Sequence, residues 1–128
     1  SMIASDGFIE KGRGHPRTSG TYAKVLGQYV REEGAIPLME ALRRMTIEPA
    51  RRIEPRAPAM ANKGRIAVGA DADLTIFDPA TVKDRATYED ASLPSAGIPY
   101  VVVGGQVVVD NGAITAARPG RAVRGPVR

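Results

Sequence analysis

Two β-branched runs separated by a pair of glycines constrain this chain more than any other feature. Tyr100-Val101-Val102-Val103 and Gln106-Val107-Val108-Val109 flank Gly104-Gly105, and a two-residue hairpin turn needs left-handed backbone at its centre, which glycine adopts at little cost. The pattern predicts a β-hairpin. Asp110-Asn111-Gly112 supplies another tight turn. Upstream, strand periodicity sets in from Gly64: Asp73 to Asp78 alternates, Leu74 and Ile76 share one face, and Pro79 closes the run. Residues 80–97 show no strong period and read as an excursion. Arg118, Arg121, Arg124 and Arg128 lie among Pro and Gly with no acid nearby, which predicts a solvated or partner-bound tail.

The first half of the chain has a different rhythm. Tyr22, Val25, Leu26, Tyr29 and Val30 recur at helical spacing, predicting a helix of about 13 residues from Gly20 that Gly34 ends. Pro37 then opens a second helix with Leu38, Ala41, Leu42 and Met45 on one stripe and Glu40, Arg43 and Arg44 turned outward. Thr46 is placed to cap a short third helix, with Pro49 in its first turn and Ile53 facing inward. Between Glu54 and Lys63 the chain is mostly Pro, Ala and charge, the composition of a linker or crossover.

At the beginning stand Met2-Ile3-Ala4-Ser5-Asp6-Gly7: small and apolar residues, then a hydroxyl, a carboxylate and a glycine. A buried strand breaks into a turn in this way at its carboxyl end, where reactive side chains project in a parallel α/β barrel. Phe8 to Ser19 follow as a surface loop rich in breaks and basic residues. With 128 residues the chain suffices for one domain but falls short of the ~250 of a complete barrel. Gly 14 and Pro 10 make it turn-rich, and with no Trp and two Phe, aliphatic side chains must build the core.

Zero cysteines exclude disulfides and thiolate metal sites and fit a reducing, cytoplasmic setting. No apolar run approaches the roughly 20 residues of a membrane span, and no secretory pattern opens the chain. The net charge of +4 is unevenly spread, with 12 basic and 7 acidic groups in residues 1–66 and 6 and 7 in residues 67–128, and neither part has the clustered basic and aromatic pattern of a nucleic-acid surface. Neither nucleic acid nor membrane is therefore an expected partner.

Taken together, several segments resemble the last part of an amidohydrolase, most closely the N-acyl-D-amino-acid deacylases (D-aminoacylases). They are Ser5-Asp6-Gly7; His15-Pro16-Arg17; Gly20-Thr21-Tyr22 with residues 25–32; Met45-Thr46 with Pro49-Ala50-Arg51-Arg52; GADADLTIFDP from Gly69 to Pro79; and Val107 to Gly112. The resemblance implies an α+β piece: the last strand and covering helices of a metal-bearing (β/α)8 barrel over residues 1–54, a linker over 55–63, and strands of the small β-sandwich with an Arg-rich tail over 64–128. It also implies that the zinc ligands come from earlier strands that this chain does not contain. Zinc is then expected in the parent enzyme and not in the isolated chain, which is expected to be inactive.

Hydrolysing an amide needs a nucleophilic water and a proton for the departing amine, and a carboxylate in reach can carry that proton. Asp6 suits the role; the competing reading of Asp6-Gly7 is a plain turn. By resemblance, Asp6 is the general acid/base and a candidate shared metal ligand. His15, the sole histidine, cannot make a zinc site by itself; it is either a substrate contact or a loop histidine bonded to backbone. Arg17, like Arg13, is shaped to take a substrate carboxylate or else is a solvated surface cation. Gly12-Arg13-Gly14 and Gly104-Gly105 lack the spacing of a phosphate loop. Asp71, Asp73 and Asp78 lack calcium-loop spacing and read as turn and edge carboxylates.

The expected parent reaction is hydrolysis of an N-acyl-D-amino acid. The alternatives are a cyclic amidohydrolase of the dihydroorotase or hydantoinase kind, and a non-catalytic assembly module derived from an amidohydrolase. An unpaired barrel strand and an uncovered helix stripe would lead the chain to form a homo-oligomer or to associate with the missing barrel portion.

Overall fold

The computed structural model describes residues 1–11 and 13–126. Gly12, and with it the Gly12-Arg13-Gly14 motif as a whole, lies outside the described residues, as does Arg128 of the basic tail. The described residues form a small α+β structure with a two-stranded and a four-stranded sheet. Its residues divide into two compact units that alternate along the sequence.

One unit gathers Ala4–Ala41 and Phe77–Ile98. It begins with a minimal hairpin, β1 (Ile9–Glu10) against β2 (Arg13–Gly14). Helix α1 (Arg17–Lys24) runs directly into a π-helical stretch, Val25–Glu32. The widened turns show in the bond from the Glu33 amide to the Gln28 carbonyl, five residues back, at 2.9 Å. The helix thus starts three residues before the expected Gly20 and ends, as expected, at Gly34, whose φ is +60°.

The widening corrects the expected stripe. Ala23, Val25, Leu26 and Gly27 are buried, whereas Tyr22 and Tyr29 remain 46% and 40% exposed. A stretch wound on i→i+5 bonds does not keep the 3.6-residue period on which that stripe was drawn.

Residues 80–97 are the second half of this unit's core. Val82 is completely buried and Ala91 nearly so. Arg31 donates to the carbonyls of Val82 at 2.6 Å and Pro79 at 3.2 Å. A Cβ added at Gly27 would lie 2.7 Å from the Val82 oxygen, so the π-helical stretch touches main chain here. Lys83 and Ala96 form a reciprocal antiparallel bridge, and the Ser95 hydroxyl donates to the Ser19 carbonyl at 3.1 Å. Asp78 closes the entry as a turn carboxylate, accepting from the Ala80 amide and the Thr81 hydroxyl, each at 2.9 Å.

The other unit comprises Ser1–Ile3, Leu42–Ile76 and the chain from Pro99. Helix α2 (Leu38–Met45) begins, as its Pro37 predicts, with the Ala41 amide donating to the Pro37 carbonyl; its residues from Leu42 belong here. Helix α3 (Ile47–Ile53) follows with Pro49 in its first turn and Ala50 buried. Two expectations fail at α3. The Thr46 hydroxyl donates back to the Leu42 carbonyl at 2.7 Å instead of capping α3, because an accepting carbonyl of the preceding turn lies within reach. Ile53 is 47% exposed rather than inward-facing, the short helix burying Ala50 instead. A 3-10 turn, Pro58–Asn62, follows.

The four-stranded sheet is an antiparallel meander of β3 (Leu74–Ile76), β4 (Tyr100–Val103), β5 (Gln106–Asp110) and β6 (Ala113–Ile114). The predicted hairpin is β4 with β5, irregular in register at Val101/Val102. Gly104 and Gly105 at φ +54° and +79°, and Asn111 and Gly112 at +47° and +81°, give both turns the paired left-handed conformation. β6 is an addition to the sequence reading. Asp73 accepts from the Gly104 amide at 2.8 Å and from Lys63 at 2.5 Å, and Lys63 also meets Asp71 at 2.9 Å. These are turn and edge carboxylates, as expected. Lys63 holds the Asp73 carboxyl below its usual range, helped by the Gly104 amide, and Asp73 with Asp71 raises the ammonium.

Residues 2–5 form no strand. A parallel strand has no hydrogen bonds of its own and needs neighbours on either side; here the Ile3 amide donates to the Arg44 carbonyl at 3.0 Å.

Candidate active site

The three residues singled out at the start of the chain do come together. Asp6 sits in the left-handed region at φ +46°, and Gly7 packs so closely on the start of α1 that a Cβ there would meet the Thr18 Cα at 2.6 Å. The Thr18 hydroxyl donates to the Phe8 carbonyl at 3.2 Å, holding the loop from its other side. This brings Asp6 Oδ2 to 3.3 Å from the Arg17 guanidinium, with the carboxylate side chain 90% exposed. An exposed pair of this kind contributes about 0–1 kcal/mol. It orients the two groups without burying either.

Arg17 is the first residue of α1, whose early amides lack intrahelical acceptors. Pro16, at the cap position, has no side chain to accept from them. The His15 imidazole does so instead, its Nδ1 accepting from the Arg17 amide at 3.1 Å. A neutral ring that accepts at Nδ1 carries its proton on Nε2. That nitrogen lies 3.2 Å from the Tyr88 hydroxyl, with the two rings edge-to-face at 5.1 Å. His15 is thus a loop histidine bonded to backbone, as one of its two readings expects.

His15 and Arg17 line an open groove of about 420 Å³, with Lys24 and Tyr29 along the helix and Asp84, Tyr88 and Glu89 from the excursion. Asp6 and Arg13 are outside its lining; Arg13 lies in β2, opposite Glu10. Sequence reasoning missed the 84–89 wall entirely. The one available signal was Tyr88, an aromatic residue in an otherwise polar, aperiodic stretch.

Asp6 offers an exposed carboxylate of a type zinc accepts, but a zinc site takes three or four protein ligands. Among the described residues no three His, Cys, Asp or Glu side chains converge. Asp6 can be one donor of such a set and not the whole of it.

The family model described as "Amidohydrolase family" matches residues 5–109, and the chain belongs to that family. Its relatives narrow the class further. The chain is 44% identical over 123 residues to N-acyl-D-glutamate deacylase of Alcaligenes xylosoxydans xylosoxydans, covering 96% of this chain and 24% of that one. Among solved structures it is similar to D-aminoacylase, with a TM-score of 0.86 at 40% identity over 96% of this chain and 25% of the other. It is likewise similar to N-acyl-D-glutamate deacylase of Bordetella bronchiseptica, a complex with zinc and a phosphonate mimic of the tetrahedral intermediate. That match has a TM-score of 0.83 at 42% identity, covering 96% of this chain and 25% of the other. The chain thus spans about a quarter of the length of these relatives. No helix among the described residues is long and apolar enough to cross a membrane.

Proposed function

We propose that this chain is the carboxyl-terminal portion of a zinc-dependent amidohydrolase that hydrolyses N-acyl-D-amino acids to a carboxylate and a free D-amino acid. The observation that carries the reading is the match along 96% of the chain to an N-acyl-D-glutamate deacylase at 44% identity. In this reading residues 1–54 complete a (β/α)8 barrel, residues 55–63 link, and residues 64–128 add strands to a small β-sandwich. Residues 2–5 become a strand when earlier barrel strands supply the hydrogen-bonding neighbours they lack here. The natural partner is therefore the rest of the barrel, or a second copy where that is absent. A cytoplasmic location fits the cysteine-free composition.

Zinc, when bound, lowers the pKa of a coordinated water toward ~7. Asp6 is the general acid/base: it receives a proton as the carbonyl is attacked and delivers it to the departing nitrogen, so that the amine leaves neutral. Its exposure allows it to reach a substrate, and the turn at Gly7 holds its backbone in place. Arg17 binds the substrate carboxylate. A guanidinium carries five donors, so it can fork onto that carboxylate while keeping one contact to Asp6. His15 belongs to the same substrate-binding side of the site, fixing the helix end from which Arg17 projects.

The test is hydrolysis of N-acetyl-D-glutamate and its L enantiomer by the full-length polypeptide. The reading requires zinc-dependent release of free D-glutamate with little reaction of the L form. No release from either, or equal release from both, would contradict it.

A further inference from the structure

We infer that Tyr88 is a positioning residue for the substrate-binding end of this site, acting through His15 on Arg17. The inference deepens the reading above and rests on Arg17 as the residue that binds the substrate carboxylate. Three contacts run in series. The Tyr88 hydroxyl meets His15 Nε2 at 3.2 Å, His15 Nδ1 accepts the Arg17 amide at 3.1 Å, and the Arg17 guanidinium reaches Asp6 Oδ2 at 3.3 Å. Each bond sets the condition for the next.

An imidazole has two nitrogens, and only the unprotonated one can serve as the cap. With Nδ1 committed to the Arg17 amide, the ring proton belongs on Nε2, and the Tyr88 oxygen is the acceptor that receives it. The edge-to-face packing of the two rings limits rotation of the imidazole as well. Without Tyr88, the His15 ring is held by a single bond in an exposed loop, free to turn away from the helix end. The first turn of α1 would then lose its cap, and Arg17 the fixed origin from which its guanidinium reaches toward Asp6.

Tyr88 can play this part because its own stretch is anchored. The Lys83–Ala96 bridge encloses residues 84–95, and inside it the Thr87 amide donates to the Asp90 carbonyl at 3.0 Å, while the Asp90 carboxylate accepts from the Ser92 amide and hydroxyl at 3.0 and 2.6 Å. The excursion that lacks any periodic pattern is therefore the second wall of the groove, and a contact spanning 73 residues of sequence sets the geometry of His15.

Two measurements on Tyr88→Phe, which keeps the ring and removes the hydroxyl, test the inference. In the full-length polypeptide, KM for the N-acyl-D-amino acid should rise about 5-fold, the effect of losing one neutral hydrogen bond, with kcat within about 2-fold. In an Arg17→Ala background the same change should add nothing, since it acts through Arg17. In the 128-residue chain, where His15 is the sole histidine, the imidazole Nε2 and Arg17 amide NMR signals should both shift while circular dichroism is unchanged. Unmoved signals, or a Tyr88→Phe enzyme that loses kcat or folded yield at constant KM, would overturn the inference. If Arg17→Ala leaves KM unchanged, the assignment of Arg17 fails instead, and the NMR shifts still decide whether Tyr88 governs His15.

Discussion

Replacing Gly97 by alanine is the sharpest single test of how the excursion is held. Gly97 sits at φ +74°, and a Cβ there would lie 2.5 Å from both the Cα and the amide nitrogen of Val82 and 2.6 Å from the Thr81 carbonyl carbon. Carbon atoms pack best at about 3.5–4.0 Å, and the opposing atoms are backbone, which cannot swing aside. Two penalties combine. Left-handed backbone costs an L-residue about 1–2 kcal/mol, and overpacking adds about 1–3 kcal/mol, giving roughly 2–5 kcal/mol in all. Gly34 provides the control within the same unit: it has φ +60° but nothing within 4 Å of its would-be Cβ, so Gly34→Ala should lose only about 1–2 kcal/mol. Urea unfolding of the two variants, followed by circular dichroism and compared at equal m-values, reads the difference directly. Equal midpoints would mean instead that residues 80–97 yield easily and that Val82 is not pinned against the turn at Gly97.

Asp73, held below its ordinary value of 3.8 by Lys63 and the Gly104 amide, contributes stability that is present above that value and lost as pH falls through its lower folded value. Lys63, raised above 10.5 by Asp73 and Asp71, contributes stability that is full below that pH and lost as pH rises through its higher folded value. Thermal melts of wild type should therefore plateau between these limits, and Lys63→Met should lower the plateau by about 1–2 kcal/mol and flatten both flanks; unchanged flanks would assign the cluster no role. Met39, Phe8, Ile66 and Val68 are exposed large apolar residues, so the isolated chain should self-associate at micromolar concentration. Sedimentation showing a monomer that binds no hydrophobic dye would contradict that.

The hairpin was legible because Gly104-Gly105 between valine runs leaves one economical backbone solution, and the second turn at Asn111-Gly112 repeated it. The helices were legible from Pro37 and from apolar spacing, but the π-helical stretch was not. Within it Gly27 packs on the Val82 main chain, and a glycine–backbone contact leaves no periodic trace. Residues 80–97 were opaque for the same reason, since their order rests on main-chain bonds and on the buried side chains of Val82 and Ala91. At the site, Asp6, His15 and Arg17 could be named because each carries distinctive chemistry close together in sequence. Tyr88 was marked only as an aromatic residue in an aperiodic stretch, and nothing local pointed to a partner 73 positions away. Residues 2–5 show the converse case: a strand-like composition realises a strand only when neighbours are present.

Asp6→Asn in the full-length polypeptide tests most directly whether Asp6 carries the proton in amide hydrolysis. The change keeps the shape of the side chain and removes its basicity. Turnover of the N-acyl-D-amino acid is predicted to fall by at least ~100-fold, with zinc content altered far less than rate. Near-normal turnover in the asparagine variant would contradict the account and leave Asp6 as a residue of the turn.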